Sequence, residues 1–365
     1  MNPIGLYLHV PFCQSKCPYC DFYSMRGSDT EMDAYCAVLC RNIAESAEAL
    51  QCKADTLYIG GGTPSVLGAE RIKSLVMGAK QSFLTEDAEI TAECNPHKLP
   101  SDFFKELRTV GVNRISLGMQ SAVESERRIL GRLSTRGEIE AVVRSAQNAG
   151  VQNISLDVML GVPNQTEKSL AETLDFCLSL GVPHISAYIL KLEENTVFYK
   201  RRAQYVFPDD DCTADLYLQM CETLENGGLR QYEISNFARA GFESRHNLKY
   251  WHCAEYLGLG PAAHSYIHGK RYYFPRDLSA FLNGVPPISD GAGGDFTEYA
   301  MLALRLREGL RETAVQARFG HGIPQEVRQK AEPLAAHGLL RSESTGIRLT
   351  RQGFLLSNSV LAEIL

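Results

Sequence analysis

The stretch LHVPFCQSKCPYCDFYS, residues 8–24, places three cysteines within eight residues. Cys13, Cys17 and Cys20 follow the apolar run GLYLHV, which has the composition of a buried strand. The three thiols therefore fall in the loop directly after that strand. Their spacing allows one loop to wrap around a single inorganic centre.

The number of thiols restricts what that centre is. A structural zinc ion normally takes four protein ligands, and no fourth ligand lies at zinc-finger spacing, because His9 falls within the predicted strand. A disulfide between two of these three cysteines would leave the third thiol unpaired. Three thiolates can instead hold three irons of a [4Fe–4S] cluster and leave the fourth iron open to a substrate or cofactor. We therefore predict such a cluster, with zinc as the alternative.

The first half of the chain alternates strand-like and helix-like segments, which predicts right-handed βαβ units and a parallel sheet. The six strand-like runs are GLYLHV (5–10), DTLYIG (55–60), EITAEC (89–94), NRISLGMQ (113–120), NISLDVML (153–160) and HISAYIL (184–190). Polar residues stand at the carboxyl ends of successive runs, where active sites of (β/α) barrels lie. We predict an α/β fold with a partial (β/α)6 barrel; a doubly wound sheet is the alternative.

Three regions are predicted along the chain. Residues 1–195 hold the barrel with its inorganic centre, and residues 196–288, which are rich in aromatic residues and loops, cap it. SDGAGGDF, residues 289–296, has the composition of a linker. Residues 289–365 are predicted to form a winged-helix-like α+β module, with a hairpin that turns near Gly346 and that packs against the protein instead of reading DNA.

Composition and charge exclude several classes of partner. The net charge is −6, the isoelectric point is near 5.9 and no basic tract occurs, which argues against nucleic acid or an anionic membrane as the main partner. We expect no signal peptide and no transmembrane helix, hence a cytoplasmic protein. In that compartment the remaining cysteines are expected to be buried thiols: Cys36, Cys40, Cys52, Cys94, Cys177, Cys212, Cys221 and Cys253.

The octapeptide CQSKCPYC, residues 13–20, resembles the CxxxCxΦC signature of the radical S-adenosylmethionine (SAM) superfamily, with Tyr19 as the aromatic residue. The resemblance implies that the open iron of the cluster chelates the amino and carboxylate groups of SAM. In that superfamily an electron from the cluster cleaves the sulfonium and yields a 5′-deoxyadenosyl radical. The missing fourth ligand would then be the cofactor itself.

The same resemblance implies which residues surround SAM. GGGTP follows the second strand-like run, and the backbone of Gly61, Gly62 and Thr63 would meet the methionine amino group; by itself such a motif is a tight βα turn. The side chains assigned to the pocket by position are Tyr7, Tyr19, Glu93, Gln120, Arg132 and Asp157. For each of them, a helix-capping or surface role is the alternative.

A wider match covers most of the chain. YLHVPFC, GGGTPS, SLGMQS and LDVMLGVPNQT are similar to the oxygen-independent coproporphyrinogen III oxidase family. That family contains an oxidase that decarboxylates propionate side chains to vinyl groups, and a group of heme chaperones. Three features favour the chaperones: only twelve residues precede Cys13, Phe22 stands where the oxidase has a further cysteine, and HNLKYW (246–251) matches the chaperones' HNxxYW motif.

Resemblance to the chaperones implies heme as a third cofactor. His246 would be an axial ligand to the heme iron, with Tyr250 and Trp251 against the porphyrin, while His252 and His264 are further candidates. The alternative for this segment is an aromatic core cluster around a hydrogen-bonded histidine. The implied partners are a heme donor protein and an apo-hemoprotein recipient such as a respiratory enzyme, with membrane contact only through that recipient. We expect no coproporphyrinogen dehydrogenase activity.

Overall fold

The computed structural model describes residues 2–365 and confirms the α/β fold with a partial barrel. All six strand-like runs form strands that pair in parallel and in chain order, with no reversal of the kind that defines a doubly wound sheet. The strands are β1 (Ile4–Val10), β2 (Ala54–Gly61), β3 (Leu84–Cys94), β4 (Arg114–Gln120), β5 (Asn153–Leu160) and β6 (His184–Ile189).

The barrel helices follow from their capping residues and their apolar faces. Ser28, Thr135 and Thr166 each accept a hydrogen bond from the backbone three residues on, and each forms a capping box at the start of a helix. The helices are α1 (Asp29–Leu50), α2 (Gly68–Ser82), α3 (Phe103–Thr109), α4 (Glu124–Ile129), α5 (Arg136–Asn148) and α6 (Glu167–Ser179).

The two faces of the barrel strands differ in chemistry. Side chains alternate between faces along a strand. One face carries fully buried aliphatic residues such as Leu6, Leu57 and Ile59, which belong to the main apolar core. The other face carries polar residues that are also buried, including Thr56 and Ser155. The barrel therefore encloses hydrogen-bonding groups along its length.

The region predicted to cap the barrel extends its sheet at both edges. The helices of this region are α7 (Val197–Lys200), α8 (Asp210–Asn226), α9 (Arg245–Trp251) and α10 (Leu278–Leu282). Its strands are β7 (Arg230–Gln231), β8 (Asn236–Ala238), β9 (Tyr256–Leu259), β10 (His264–Ile267) and β11 (Lys270–Tyr273), and β12 (Ile288–Ala292) begins at its end. Within residues 2–365 the sheet has twelve strands, in the order β12-β11-β10-β9-β1-β2-β3-β4-β5-β6-β8-β7.

Residues 289–296 were predicted to be a linker, but they begin with a strand. Strand β12 occupies their first half and pairs antiparallel with β11, although every one of its side chains is exposed. Backbone pairing at the sheet edge thus overrides a composition of Gly, Asp and Ser that disfavours strands. Asp295 then caps the next helix by accepting a hydrogen bond from the Glu298 backbone.

The chain ends in the predicted winged-helix-like module. Its elements are α11 (Phe296–Ala303), β13 (Leu310–Arg311), α12 (Glu312–Phe319), α13 (Gln325–Ala336), β14 (Leu340–Glu343), β15 (Gly346–Leu349), α14 (Arg351–Leu355) and α15 (Ser357–Ile364). Strands β14 and β15 form the hairpin, whose turn at residues 344–345 lies directly before Gly346. Among residues 2–365, no helix has the length and apolar character needed to cross a bilayer.

Candidate functional site

The three clustered cysteines line one cavity at the carboxyl ends of the barrel strands. The cavity has a volume of about 590 Å³ and is bordered by the loops that follow β1, β2, β3, β4 and β6 and by side chains near the end of β5. Two backbone hydrogen bonds close the base of the thiol loop, from Cys13 N to Met25 O at 2.9 Å and from Met25 N to Pro11 O at 2.8 Å. Cys13, Cys17 and Cys20 are all half-buried. They are therefore held at the wall of a cavity while still facing its interior.

The arrangement of these thiols suits a cluster. Three thiolates can hold three irons of a [4Fe–4S] cluster and leave the fourth iron open. Cys13, Cys17 and Cys20 are free thiols that line one cavity, as such a cluster requires.

The glycine motif braces the thiol loop. Gly62 N donates to Val10 O and Thr63 N donates to Phe12 O, both at 2.8 Å. A Cβ on Gly62 would lie 2.7 Å from Phe12 O and 3.1 Å from Cys13 Sγ, so only glycine allows the two loops to approach this closely. The glycine motif is thus a tight βα turn, which was the alternative interpretation of GGGTP. Its backbone also lines the cavity.

Two carboxylates face the same cavity. Glu93 accepts hydrogen bonds from the Tyr58 hydroxyl at 2.7 Å and from Gly61 N at 3.1 Å. Burial, with a smaller contribution from the charge of Asp157, raises the pKa of Glu93 to about 7, although the hydrogen bonds from Tyr58 and Gly61 act to lower it. Burial likewise raises the pKa of Asp157 to about 6, even though Ser116 donates a hydrogen bond to it at 3.1 Å that acts to lower the pKa. The cavity therefore favours ligands that bring positive charge or hydrogen-bond donors, as SAM would with its ammonium group and ribose.

Gln120, Arg132 and Tyr19 complete the predicted set at this cavity. Gln120 has a left-handed backbone with φ of 74°, and its buried Oε1 has no hydrogen-bond partner among the described residues. Such strain and an unpaired acceptor are typical of a ligand site. Arg132 donates to the Tyr19 hydroxyl at 2.6 Å, which holds the guanidinium beside the thiol loop.

Tyr7 is the exception among the predicted SAM residues. It does not line the cavity; its hydroxyl bonds to His9 Nδ1 at 3.0 Å, and its ring lies 6.1 Å from that of Tyr58. Conversely, sequence reasoning missed Tyr58 and Ser116, which hold the two carboxylates in place. Both occupy the inward positions of their strands, and the two-residue period could have found them.

The HNLKYW segment lies at the opposite, amino end of the barrel. His246 on α9 is 1% exposed, and its ring is bonded on both sides, Nδ1 to Thr56 Oγ1 and Nε2 to the Tyr250 hydroxyl, each at 2.8 Å. Burial, together with the charge of Lys249, lowers the pKa of His246 to about 3. With both nitrogens occupied, His246 offers no ligand atom to heme in this conformation, so the geometry corresponds to the aromatic-cluster alternative. Ligation by His246 would require the segment to open.

The other heme candidates are more accessible. The Trp251 ring is half-buried with the Arg305 guanidinium 5.8 Å from its centre, and Tyr250 packs edge-on against Tyr256. His264 is exposed and stacks on Tyr273.

Of the eight cysteines expected to be buried, three are only half-buried: Cys40, Cys52 and Cys212.

Known proteins match both the barrel and the module. Residues 7–177 match the model of the Radical SAM superfamily, and residues 296–356 match the model of the HemN C-terminal domain. The heme chaperone HemW of Escherichia coli K12 is 37% identical, over 99% of this chain and 98% of its own length. This chain belongs to the HemW family. HemW of Mycobacterium tuberculosis, 35% identical over 100% of this chain and 95% of its own, agrees with that assignment.

Membership of the HemW family confirms the resemblance drawn from the motifs. The solved coproporphyrinogen III oxidase (HemN) of Escherichia coli superposes with a TM-score of 0.85, covering 99% of this chain and 90% of that one. Its sequence identity is only 22%, so the likeness establishes a shared fold. The HemW family therefore places a radical SAM barrel and a HemN-type module in one chain.

Proposed function

We propose that the protein is a heme chaperone, which binds a [4Fe–4S] cluster, SAM and heme and transfers heme to an apo-hemoprotein. The supporting observation is that full-length relatives named as heme chaperones match a chain whose three motif thiols share one cavity with two carboxylates. The cysteine loop alone would support any radical SAM protein. Similarity over the whole chain favours the chaperones.

Cys13, Cys17 and Cys20 would hold the cluster, which supplies an open iron and an electron when bound. SAM would occupy the cavity beside it. Glu93 and Asp157 would accept hydrogen bonds from the ligand, and Arg132 would pair with its methionine carboxylate. The remaining contacts would come from Tyr19, Gly61, Gly62, Thr63 and Gln120. Tyr7 would act only through its neighbours.

Heme would bind in the region that includes HNLKYW, where Trp251 would pack against the porphyrin. The axial ligand would be an accessible histidine, His252 or His264. His246 would become a ligand only if the segment opens. The recipient would be a respiratory enzyme at the inner face of the membrane, and heme would come from a donor protein. A cytoplasmic location follows from these partners. Any membrane contact would be made through the recipient.

The competing function is oxygen-independent oxidation of coproporphyrinogen III. Phe22, which stands where the oxidase has a cysteine, is 68% exposed at the edge of the cavity and offers no thiol there. The fold match to the oxidase does not carry its activity to this chain at 22% identity.

One anaerobic experiment separates the two functions. Protein with a reconstituted cluster is mixed with SAM and a reductant, and then assayed in parallel for coproporphyrinogen consumption and for heme bound per chain. We expect stoichiometric heme binding and no protoporphyrinogen. Turnover of coproporphyrinogen would reverse the choice, and a lack of both activities would refute the proposed function.

A further inference from the structure

A buried chain of contacts links HNLKYW to the SAM cavity through the barrel. The His246 ring stacks on the Tyr58 ring, with centres 5.2 Å apart and planes inclined by 30°. The Tyr58 hydroxyl in turn donates to Glu93 at 2.7 Å. Thr56, two residues before Tyr58 on the same face of β2, bonds to His246. We call Thr56, Tyr58, Glu93 and His246 the Glu93 column.

The column spans the barrel from one end to the other. The His246 backbone N–H donates at 3.0 Å to Glu89, which lies four residues before Glu93 on β3. Four residues of a strand cover about 13 Å, so Glu89 and Glu93 lie at different heights in the barrel. The Tyr7 ring also lies near His246, with centres 6.4 Å apart, but Tyr58 is the ring neighbour of His246 that donates a hydrogen bond to Glu93.

Contacts with the strands of the barrel hold the HNLKYW segment in a fixed position. Lys249 Nζ donates to Pro3 O at 2.8 Å and pairs with Asp55 at 2.7 Å, and Arg245 N donates to Glu89 at 3.2 Å. A Cβ on Gly5 would lie 3.2 Å from the His246 ring, so glycine at this position on β1 admits the imidazole. The segment thus seals the amino end of the barrel with a histidine against the Tyr58 ring.

We infer that His246 is a positioning residue for SAM: it fixes the Tyr58 ring, and through it the Glu93 carboxylate, in the geometry that receives the cofactor. The inference rests on the proposed SAM site. It gives HNLKYW a function in the SAM cavity at the far end of the barrel, independent of whether the segment contacts heme. Without His246, Tyr58 loses the flat surface that orients its ring, and Glu93 loses a well-aligned donor.

The test measures SAM affinity of cluster-loaded protein by anaerobic equilibrium dialysis. Tyr58→Phe removes only the hydroxyl that donates to Glu93, and loss of a hydrogen bond to a charged group predicts about tenfold weaker binding. His246→Phe keeps an aromatic ring but loses both ring hydrogen bonds, and should also weaken SAM binding. Because His246 acts through Tyr58, the double variant should bind no more weakly than Tyr58→Phe alone.

A matched control separates positioning from stability. Tyr217→Phe removes a buried hydrogen bond of the same kind, from Gln231 Nε2 to the Tyr217 hydroxyl at 2.7 Å, outside the column. It should lower the melting temperature but leave SAM affinity unchanged. If His246→Phe does not fold, Thr56→Val tests the same column by removing the partner of Nδ1.

Three results would overturn the inference. They are wild-type SAM affinity in His246→Phe or Thr56→Val, additive losses in the double variant, and an equal loss of affinity in Tyr217→Phe. Absence of SAM binding by the cluster-loaded wild type would instead overturn the proposed SAM site, and the inference with it. The wild-type measurement therefore distinguishes the two failures.

Discussion

Gly62→Ala tests whether the glycine motif serves the thiol loop. The added Cβ would lie 2.7 Å from Phe12 O and 2.9 Å from Val10 O, both of which are backbone atoms that cannot rotate away. Overpacking of this kind costs about 1–3 kcal/mol. The shift would also strain the hydrogen bonds from Gly62 N and Thr63 N, each worth about 1 kcal/mol. We expect a total loss of up to about 3–5 kcal/mol, a large share of the roughly 5–15 kcal/mol that holds a typical protein folded.

The same displacement should reach the cluster, because the Cβ would also lie 3.1 Å from Cys13 Sγ. Iron and sulfide content after anaerobic reconstitution and the midpoint of chemical denaturation are the two readouts. Gly137→Ala is the matched control: it lies in α5, and a Cβ there meets no atom within 4 Å. It should leave both readouts unchanged or slightly raise stability. A Gly62→Ala protein with full cluster content and unchanged stability would refute the bracing role.

Three further predictions concern the cluster, the cavity and heme. Cys17→Ser should lose most iron and sulfide, and Cys253→Ser should retain both; equal content in the two variants would contradict the assignment. Folding raises the pKa of Glu93 from 4.5 to about 7. Between these two pH values the folded protein therefore binds more protons than the unfolded protein does. Without SAM, the free energy of unfolding should then fall as the pH rises from about 4.5 to 7. Glu93→Gln should flatten this fall in denaturation at pH 5 and pH 8, and an unaltered slope would contradict the shift. His246→Ala should leave the Soret band of bound heme in place, because both ring nitrogens are already bonded; a shifted band would show that the segment opens and His246 ligates.

The strand positions of the barrel were predictable from the sequence because each run is short, apolar and bounded by helical segments. The cavity residues were predictable for a related reason: Glu93, Gln120 and Asp157 lie at or near the carboxyl ends of parallel strands, which meet at one rim. Local pattern and chain order were enough to place these side chains together.

Other features depend on contacts that the pattern of strands and helices does not encode. The imidazole of His246 is a standard heme ligand, but its Nδ1 is hydrogen-bonded to Thr56, which is 190 residues away in sequence. Tyr7 satisfies its hydroxyl with His9 beneath the cavity, which position along β1 does not reveal. Strand β12 forms because β11 offers an unpaired edge, although its own residues disfavour strands.

Transfer of heme from the loaded protein tests the central claim most directly. Heme-loaded, cluster-containing protein is mixed anaerobically with membranes that carry the apo form of a heme-dependent respiratory enzyme, and the spectrum and activity of that enzyme are followed. Cys17→Ser protein loaded with the same heme, and free heme alone, are the controls. The account predicts that the wild type restores the enzyme faster than either control. Heme that stays on the protein, or that reaches the enzyme no faster than free heme does, would contradict it.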